Sequence, residues 1–219
     1  MNRKWVFVAF AAIWIAGMVV VYPMLKKQQR LQVFQPKDVN PELVDEDMQR
    51  TSKAHRIAEF KLVDQTGDTV SNDVFDGSIY VTDFFFTTCP SICPKMTANL
   101  KVLSEHYKQD NDIMFLSHSV TPVRDSVPVL AAYGEEHGAD PAKWKLVTGP
   151  KKHIYELARR SYFAVTTEGD GGDADFIHTE NFILVDKERK IRGFYDGTSL
   201  EDMERLKEDI TILRYEYED

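Results

Sequence analysis

The chain has 219 residues, enough for one domain with a hydrophobic core and additional segments, but too few for two full-sized domains. Its 27 basic and 35 acidic residues give a formal net charge of −8, which argues against nucleic acid as a partner because proteins that bind it present a basic face. Only two cysteines occur, and this excludes zinc fingers, ferredoxin-type clusters and scaffolds held by several disulfides.

An uncharged apolar run covers residues 5–25, with basic residues on both sides of it. At about 1.5 Å per residue, a helix of this length crosses a hydrocarbon core of about 30 Å. A cleaved signal peptide would have a shorter apolar region followed by small residues at a cleavage site, and the segment after Tyr22 lacks that pattern. We therefore predict an uncleaved membrane anchor at residues 1–25, whose orientation the flanking charges leave undecided.

Polar sequence separates this anchor from the rest of the chain. Residues 26–55 contain Pro36, Pro41 and a cluster of acidic side chains, a composition that predicts a tether holding a domain away from the bilayer. All 35 acidic residues of the chain follow the apolar run. The remaining residues, 56–219, are predicted to form one acidic domain with its own core.

Within this domain, strand and helix patterns alternate along the chain. Strands are predicted at residues 60–63, 78–86, 113–120 and 145–147, and helices at residues 94–107, 126–137 and 150–160. A hairpin of strands 182–185 and 191–195 and a helix from residue 199 follow, and the inner face of that helix is predicted to carry Met203, Leu206, Ile210 and Leu213. This order of elements predicts an α/β sandwich around one central sheet.

Both cysteines lie in the segment CPSICP, where the buried strand 78–86 gives way to a helix. Positions four apart share one face of a helix, so the Cα atoms of Cys89 and Cys93 would lie about 6 Å apart, within disulfide range. A helix N-terminus also favours a thiolate on at least one of them. Two thiolates this close suit Cu(I) or a reversible disulfide. The alternative, two small buried apolar side chains, does not explain their placement together.

Copper usually takes a third ligand, and the six histidines are candidates. His118 lies inside a predicted strand, where we expect a hydrogen-bonded structural residue. His178 lies at the entry to the hairpin and could reach the end of the sheet that carries the cysteines, although its position alone favours a surface residue. The other four are expected to be solvated: His55, His106, His137 and His153.

Four segments together resemble the Sco/SenC family in order and spacing: DFFFTTCPSICPKMTANL, VTPVRDSVPVLAAYGEEHG, WKLVTGPKKHIYELARRSYFAV and IHTENFILVDKERKIRGFYDGT. The members are membrane-anchored, copper-binding assembly factors of cytochrome c oxidase with a thioredoxin-like fold. The resemblance implies that fold here, with Cys89, Cys93 and His178 as copper ligands. It also implies a single-pass protein of the cytoplasmic membrane with its domain on the extracytoplasmic side. Its implied partners are the copper-site subunit of the oxidase and a copper donor protein.

This sequence departs from the family pattern at two positions where the family commonly has aspartate. Ile177 stands immediately before His178, and Thr121 stands in the segment after strand 113–120. Acidic residues beside metal ligands orient them and tune the metal, so we expect these replacements to affect copper affinity. They leave the implied ligand set unchanged.

Four functions are compatible with these residues. The leading hypothesis is a copper chaperone that delivers copper to a binuclear site of cytochrome c oxidase. The second is a thiol–disulfide reductase, which would use Cys89 and Cys93 without His178. The third is a peroxidase whose reactive cysteine is activated by Lys95 or Arg124. The fourth, a membrane-tethered interaction domain, leaves the cysteine pair unexplained.

Overall fold

The computed structural model describes residues 10, 12–19, 21, 30–39, 55–165 and 169–218, which belong to two compact units. The first unit comprises Met1–Leu31 and Glu208–Asp219; residues 12–19 are helical, and the backbone N–H of Leu31 donates to Glu216 Oε1 over 2.7 Å. Within the described ranges, no helix has the length and apolarity that a membrane crossing needs. Much of the predicted anchor, and much of the predicted tether, lies outside these ranges.

The second unit, Gln32–Lys207, contains a seven-stranded sheet. Its strands are β1 (Lys61–Asp64), β2 (Thr69–Ser71), β3 (Ile79–Phe85), β4 (Ile113–Ser119), β5 (Trp144–Thr148), β6 (Asn181–Val185) and β7 (Ile191–Asp196). The helices after residue 31 are α1 (Pro36–Val39), α2 (Ile92–His106), α3 (Val127–His137), α4 (Lys151–Glu156) and α5 (Leu200–Glu216). A 3₁₀ turn, Asn72–Phe75, follows β2, and α4 continues into a π-helical turn, Leu157–Ser161.

The sheet has the strand order β2-β1-β5-β4-β3-β6-β7. The three central strands β3, β4 and β5 are parallel to one another, and the remaining pairs are antiparallel. Phe85 at the end of β3 lies opposite Ser119 at the end of β4. The segments that follow these two strands therefore start at the same end of the sheet, which is where open α/β sheets place ligand sites. The predicted α/β architecture with one central sheet is confirmed.

Strand β3 is buried along its whole length, as expected for a central strand covered on both faces. Successive side chains of a strand point to opposite faces. Tyr80 and Phe84 join a core cluster that includes Ile154 of α4 and Leu157 of the π-helical turn. Phe85, one position further on, packs on Tyr133 of α3, with ring centroids 5.3 Å apart. Asp83 shares the Phe85 side of the strand.

Most predicted elements are present with small shifts of their ends. The closing hairpin forms as expected, and the four predicted inner-face residues of the last helix are all buried. Helix α2 begins at Ile92 rather than at Pro94, because proline is tolerated within a first helical turn. Strand β2 was missed, since it has only three residues and follows a tight turn in which Gly67 has φ +88°.

Candidate metal centre

The two cysteines lie at the junction between β3 and α2. Cys89 is in residues 86–91, the turn between the strand and the helix, which is called the cysteine turn below. Cys93 is the second residue of the helix. The backbone N–H of Cys93 donates to Cys89 Sγ over 3.4 Å, and the backbone N–H of Cys89 donates to the carbonyl of Phe86 over 3.2 Å. Neither thiol is in a disulfide, and only 8% of Cys89 and 3% of Cys93 is exposed.

The expectation that both cysteines share one helix face is wrong for Cys89. Ser91, with φ −128° and ψ −84°, is not helical, so the helix starts after it and Cys89 remains in the preceding turn. The turn nevertheless brings Cys89 Sγ to the first backbone N–H groups of the helix. These donors have no partner within the helix and favour an anion at this point.

The pKa values of the two thiols are shifted in opposite directions. Burial raises the pKa of Cys89, but hydrogen bonds donated by the Cys93 thiol, by Ser91 and by the Cys93 backbone outweigh it, and the net pKa is lowered. Burial raises the pKa of Cys93 to about 12. Its hydrogen bond to Cys89 and the nearby charges of Cys89 and Asp83 add to this effect, and a hydrogen bond with the Phe86 backbone partly offsets it. The pair is therefore arranged so that Cys89 loses its proton more readily than Cys93.

Asp83 is a buried carboxyl that the sequence analysis did not single out. Burial raises its pKa to about 7, although the Ser117 hydroxyl donates a hydrogen bond to it. Its Oδ1 atom has no hydrogen-bond partner among the described residues. The sequence feature that could have indicated it is a single aspartate inside the otherwise largely apolar strand SIYVTDFFF. Its negative charge opposes formation of a second thiolate at Cys93.

A second buried carboxylate, Asp125, joins the segments that follow β3 and β4. It accepts hydrogen bonds from the hydroxyls of Thr87 (2.6 Å), Ser119 (2.5 Å) and Thr121 (2.9 Å), and from the backbone N–H of Thr87 (3.3 Å). Thr121, which stands where the family commonly has aspartate, thus donates to Asp125. Because Thr87 lies two residues before Cys89, this network fixes the start of the cysteine turn.

His178 is exposed, between the buried residues Ile177 and Thr179. Its segment is linked to the cysteine turn by a ring contact: Phe176 and Phe86 lie edge to face with centroids 5.3 Å apart. In the part of the chain that the structure describes, no three Cys, His, Asp or Glu residues form a group that could hold a metal ion. The structure therefore brings the two cysteines together without adding His178 to them, and the histidine remains a predicted ligand.

Two other histidines have structural positions. His118 is fully buried in β4, where its Nδ1 lies 3.2 Å from the Thr82 hydroxyl and its ring stacks on Phe84; burial lowers its pKa to about 3. The expected structural role is confirmed. His55 was expected to be solvated, but it is half-buried and its Nε2 lies 2.8 Å from the carbonyl of Ser161. Sequence could not predict this contact between residues 106 positions apart.

Fold and site together define a class of protein: an α/β domain with a thioredoxin-like sheet flanked by helices and a buried thiol pair at a strand–helix junction. The SCO1/SenC family model matches residues 48–213. The chain therefore belongs to the SCO1/SenC family.

Three similar proteins support this assignment. The SCO1 protein homolog of Bacillus subtilis is 31% identical over 145 residues, which cover 65% of this chain and 75% of the relative. The solved structure of BsSco, a member of the Sco family of cytochrome c oxidase assembly proteins in which a disulfide switch was identified, is 28% identical with a TM-score of 0.62. It covers 74% of this chain and 94% of BsSco. Arabidopsis thaliana ScoI with copper bound is 25% identical with a TM-score of 0.57 and covers 74% and 99% of the two chains.

Proposed function

We propose that this protein is a membrane-anchored copper chaperone for assembly of the copper site of cytochrome c oxidase. Cys89, Cys93 and His178 would bind the copper that is its cargo. A copper donor protein would load the site, and the copper-site subunit of the oxidase would receive the metal. The proposal rests on the family membership, on the copper bound to the Arabidopsis relative and on the geometry of the cysteine pair.

The observation that carries this proposal is the contact between the two reduced thiols. Cys93 donates to Cys89 Sγ both from its thiol and from its backbone N–H. Soft thiolate ligands favour Cu(I), and an imidazole is a suitable third ligand. Copper must displace the proton that Cys93 retains at neutral pH, so metal binding releases a proton and strengthens with rising pH.

A copper titration tests the proposed ligand set. The full reduced chain competes with a chromophoric chelator for Cu(I), beside the variants Cys89→Ser, Cys93→Ser and His178→Ala. We expect each cysteine variant to lose at least about 100-fold in affinity, because a thiolate ligand is gone, and His178→Ala to lose about 10- to 100-fold. His106→Ala is the matched control, since His106 is also exposed and lies at the far end of α2. Parental affinity in both Cys93→Ser and His178→Ala would refute the ligand set.

We further propose that residues 1–25 anchor the protein in the cytoplasmic membrane, that residues 26–55 are the tether and that residues 56–219 form an extracytoplasmic domain. The support is the uncharged run of residues 5–25, within which residues 12–19 are helical and Ile13, Trp14 and Val19 are exposed. The test is the distribution of the chain between membrane and soluble fractions. Deletion of residues 5–25 should move it to the soluble fraction, and an unchanged distribution would contradict the anchor.

The unequal acidity of the thiols supports thiol–disulfide exchange as a second function. The Cys89 thiolate would attack a partner disulfide, forming a mixed disulfide and releasing one partner thiolate. Cys93, after losing its proton, would then attack Cys89 Sγ, forming the Cys89–Cys93 disulfide and releasing the second partner thiol. Partner reduction that persists in His178→Ala and fails in Cys93→Ser would favour this function, and equal loss in both variants would oppose it.

A further inference from the structure

The backbone on either side of His178 is held in place by buried neighbours. Ile177 is only 1% exposed and belongs to the same core cluster as Tyr155, a residue of α4. On the other side, Thr179 Oγ1 donates to the carbonyl of Ala164 over 2.9 Å. The imidazole itself is exposed. A residue fixed at both flanks retains mainly the rotations of its own side chain, which lowers the entropy cost of placing it on a ligand.

The segment before His178 is tied to the helix that follows β5. Arg159, in the π-helical turn after α4, donates two parallel hydrogen bonds of 2.7 Å to the carboxylate of Asp175. Both side chains are mostly buried, and the Arg159 guanidinium holds the pKa of Asp175 below its usual range. Lys151 adds hydrogen bonds to the carbonyls of Gly172 (2.5 Å) and Asp175 (2.7 Å).

The same segment also meets the cysteine turn. The ring of Phe176, immediately after Asp175, packs on the ring of Phe86. The backbone carbonyl of Phe86 in turn accepts a hydrogen bond from the N–H of Cys89 over 3.2 Å. Three consecutive residues, Asp175, Phe176 and Ile177, are thus each fixed by a different contact just before His178.

We propose that Arg159 is a positioning residue for His178, which it holds beside the cysteine turn through its bidentate bonds to Asp175. This inference rests on the proposed role of His178 as a copper ligand. Arg159 touches no metal ligand in the described structure, so its effect on copper must pass through the segment that Asp175 begins. A planar guanidinium that binds both oxygens of a carboxylate fixes orientation as well as distance, which a lysine cannot do equally well.

Copper affinity is the quantity that this arrangement controls. Loss of a group that orients a metal ligand typically lowers metal affinity about 10- to 100-fold, and the effect here is expected near 10-fold because Lys151, Phe176 and Ile177 still hold the segment. Arg159→Gln should therefore weaken Cu(I) binding about 10-fold, and Arg159→Lys, which can restore one hydrogen bond, should recover part of the loss.

The experiment is a double-mutant cycle in the full reduced chain, measured by competition for Cu(I). Arg159→Gln, His178→Ala and the double variant are compared with Arg160→Gln, the control that makes the same charge change at the adjacent exposed residue. If Arg159 acts through His178, its effect disappears when His178 is already alanine. Amide hydrogen exchange of residues 170–178 in the metal-free protein is the second readout and should be faster in Arg159→Gln but not in Arg160→Gln.

The outcomes separate this inference from the proposed function. If His178→Ala binds copper as the parent does, His178 is not a copper ligand and the positioning role of Arg159 is overturned with it. If His178→Ala weakens binding while Arg159→Gln does not, or if the Arg159→Gln effect persists in the His178→Ala background, the positioning role is overturned. Asp175→Asn provides a second route should Arg159→Gln fail to fold, since it removes the same ion pair from the other side and should give the same 10-fold loss.

Discussion

Asp125 offers a sharp test of how the end of the sheet is held together. This fully buried carboxylate lies after β4. It accepts a hydrogen bond of 2.6 Å from the hydroxyl of Thr87, which is in the cysteine turn after β3. Ser119 and Thr121 donate to it as well. Substitution of Asp125 by alanine leaves three hydroxyl groups and the backbone N–H of Thr87 without their acceptor.

The magnitude follows from these four bonds. A hydrogen bond to a charged group contributes about 1.5–3 kcal/mol, but the contributions at one carboxylate are not additive, and the hydroxyls can rotate toward other acceptors. A buried donor that is left without its acceptor costs about 1–3 kcal/mol. We therefore expect Asp125→Ala to lower the free energy of unfolding by about 3–4 kcal/mol, which is less than the sum over four unsatisfied donors. Asp125→Asn, which retains one acceptor oxygen, should lose about 2 kcal/mol.

The assay is urea unfolding of the full chain, followed by circular dichroism. With a slope of about 2 kcal/mol per molar urea, the midpoint of Asp125→Ala should fall by about 1.5–2 M. Asp76→Ala is the control, because Asp76 is exposed, and such surface changes usually stay within about 0.5 kcal/mol. If Asp125→Ala lowers the free energy of unfolding by less than about 1 kcal/mol, the network is not a main support of this end of the sheet.

Two further predictions concern titratable groups. In the reduced protein at pH 8, iodoacetamide should modify Cys89 before Cys93, because only the thiolate reacts and the pKa of Cys89 is lowered whereas that of Cys93 is raised to about 12. Fragment-ion mass spectrometry measures the order of modification, and equal rates at the two cysteines would contradict the prediction. The pKa of His118 is lowered to about 3 in the folded chain, so the unfolded chain binds the extra proton below pH 6.5 and stability falls as the pH drops. The free energy of unfolding of His118→Phe relative to the parent should thus rise by about 2 kcal/mol between pH 7 and pH 5, and a constant difference would show that His118 is not buried as a neutral ring.

Local pattern predicted the elements near the candidate site well. The β-branched and aromatic run of residues 78–86 predicted β3, and the closing hairpin was predicted within one residue at each end. The placement of both cysteines at the end of that strand was correct. The expectation that both cysteines share one helix face was wrong for Cys89, because the backbone of Ser91 departs from helical geometry and spacing along the chain does not encode this.

The sequence by itself determined the chemistry that is available: two cysteines four positions apart after a buried strand, an uncharged N-terminal run, and a family resemblance that singled out His178. Only the tertiary structure decided how these groups are held. The pairing of β3 with β4 brings Thr87 to Asp125, and the π-helical turn after α4 brings Arg159 to Asp175, although neither pair is close in the chain. Hydrogen bonds then lower the pKa of Cys89, whereas burial raises the pKa values of Cys93 and Asp83. Spacing along the chain cannot predict such effects, because desolvation and hydrogen bonding depend on which distant segments pack around each group.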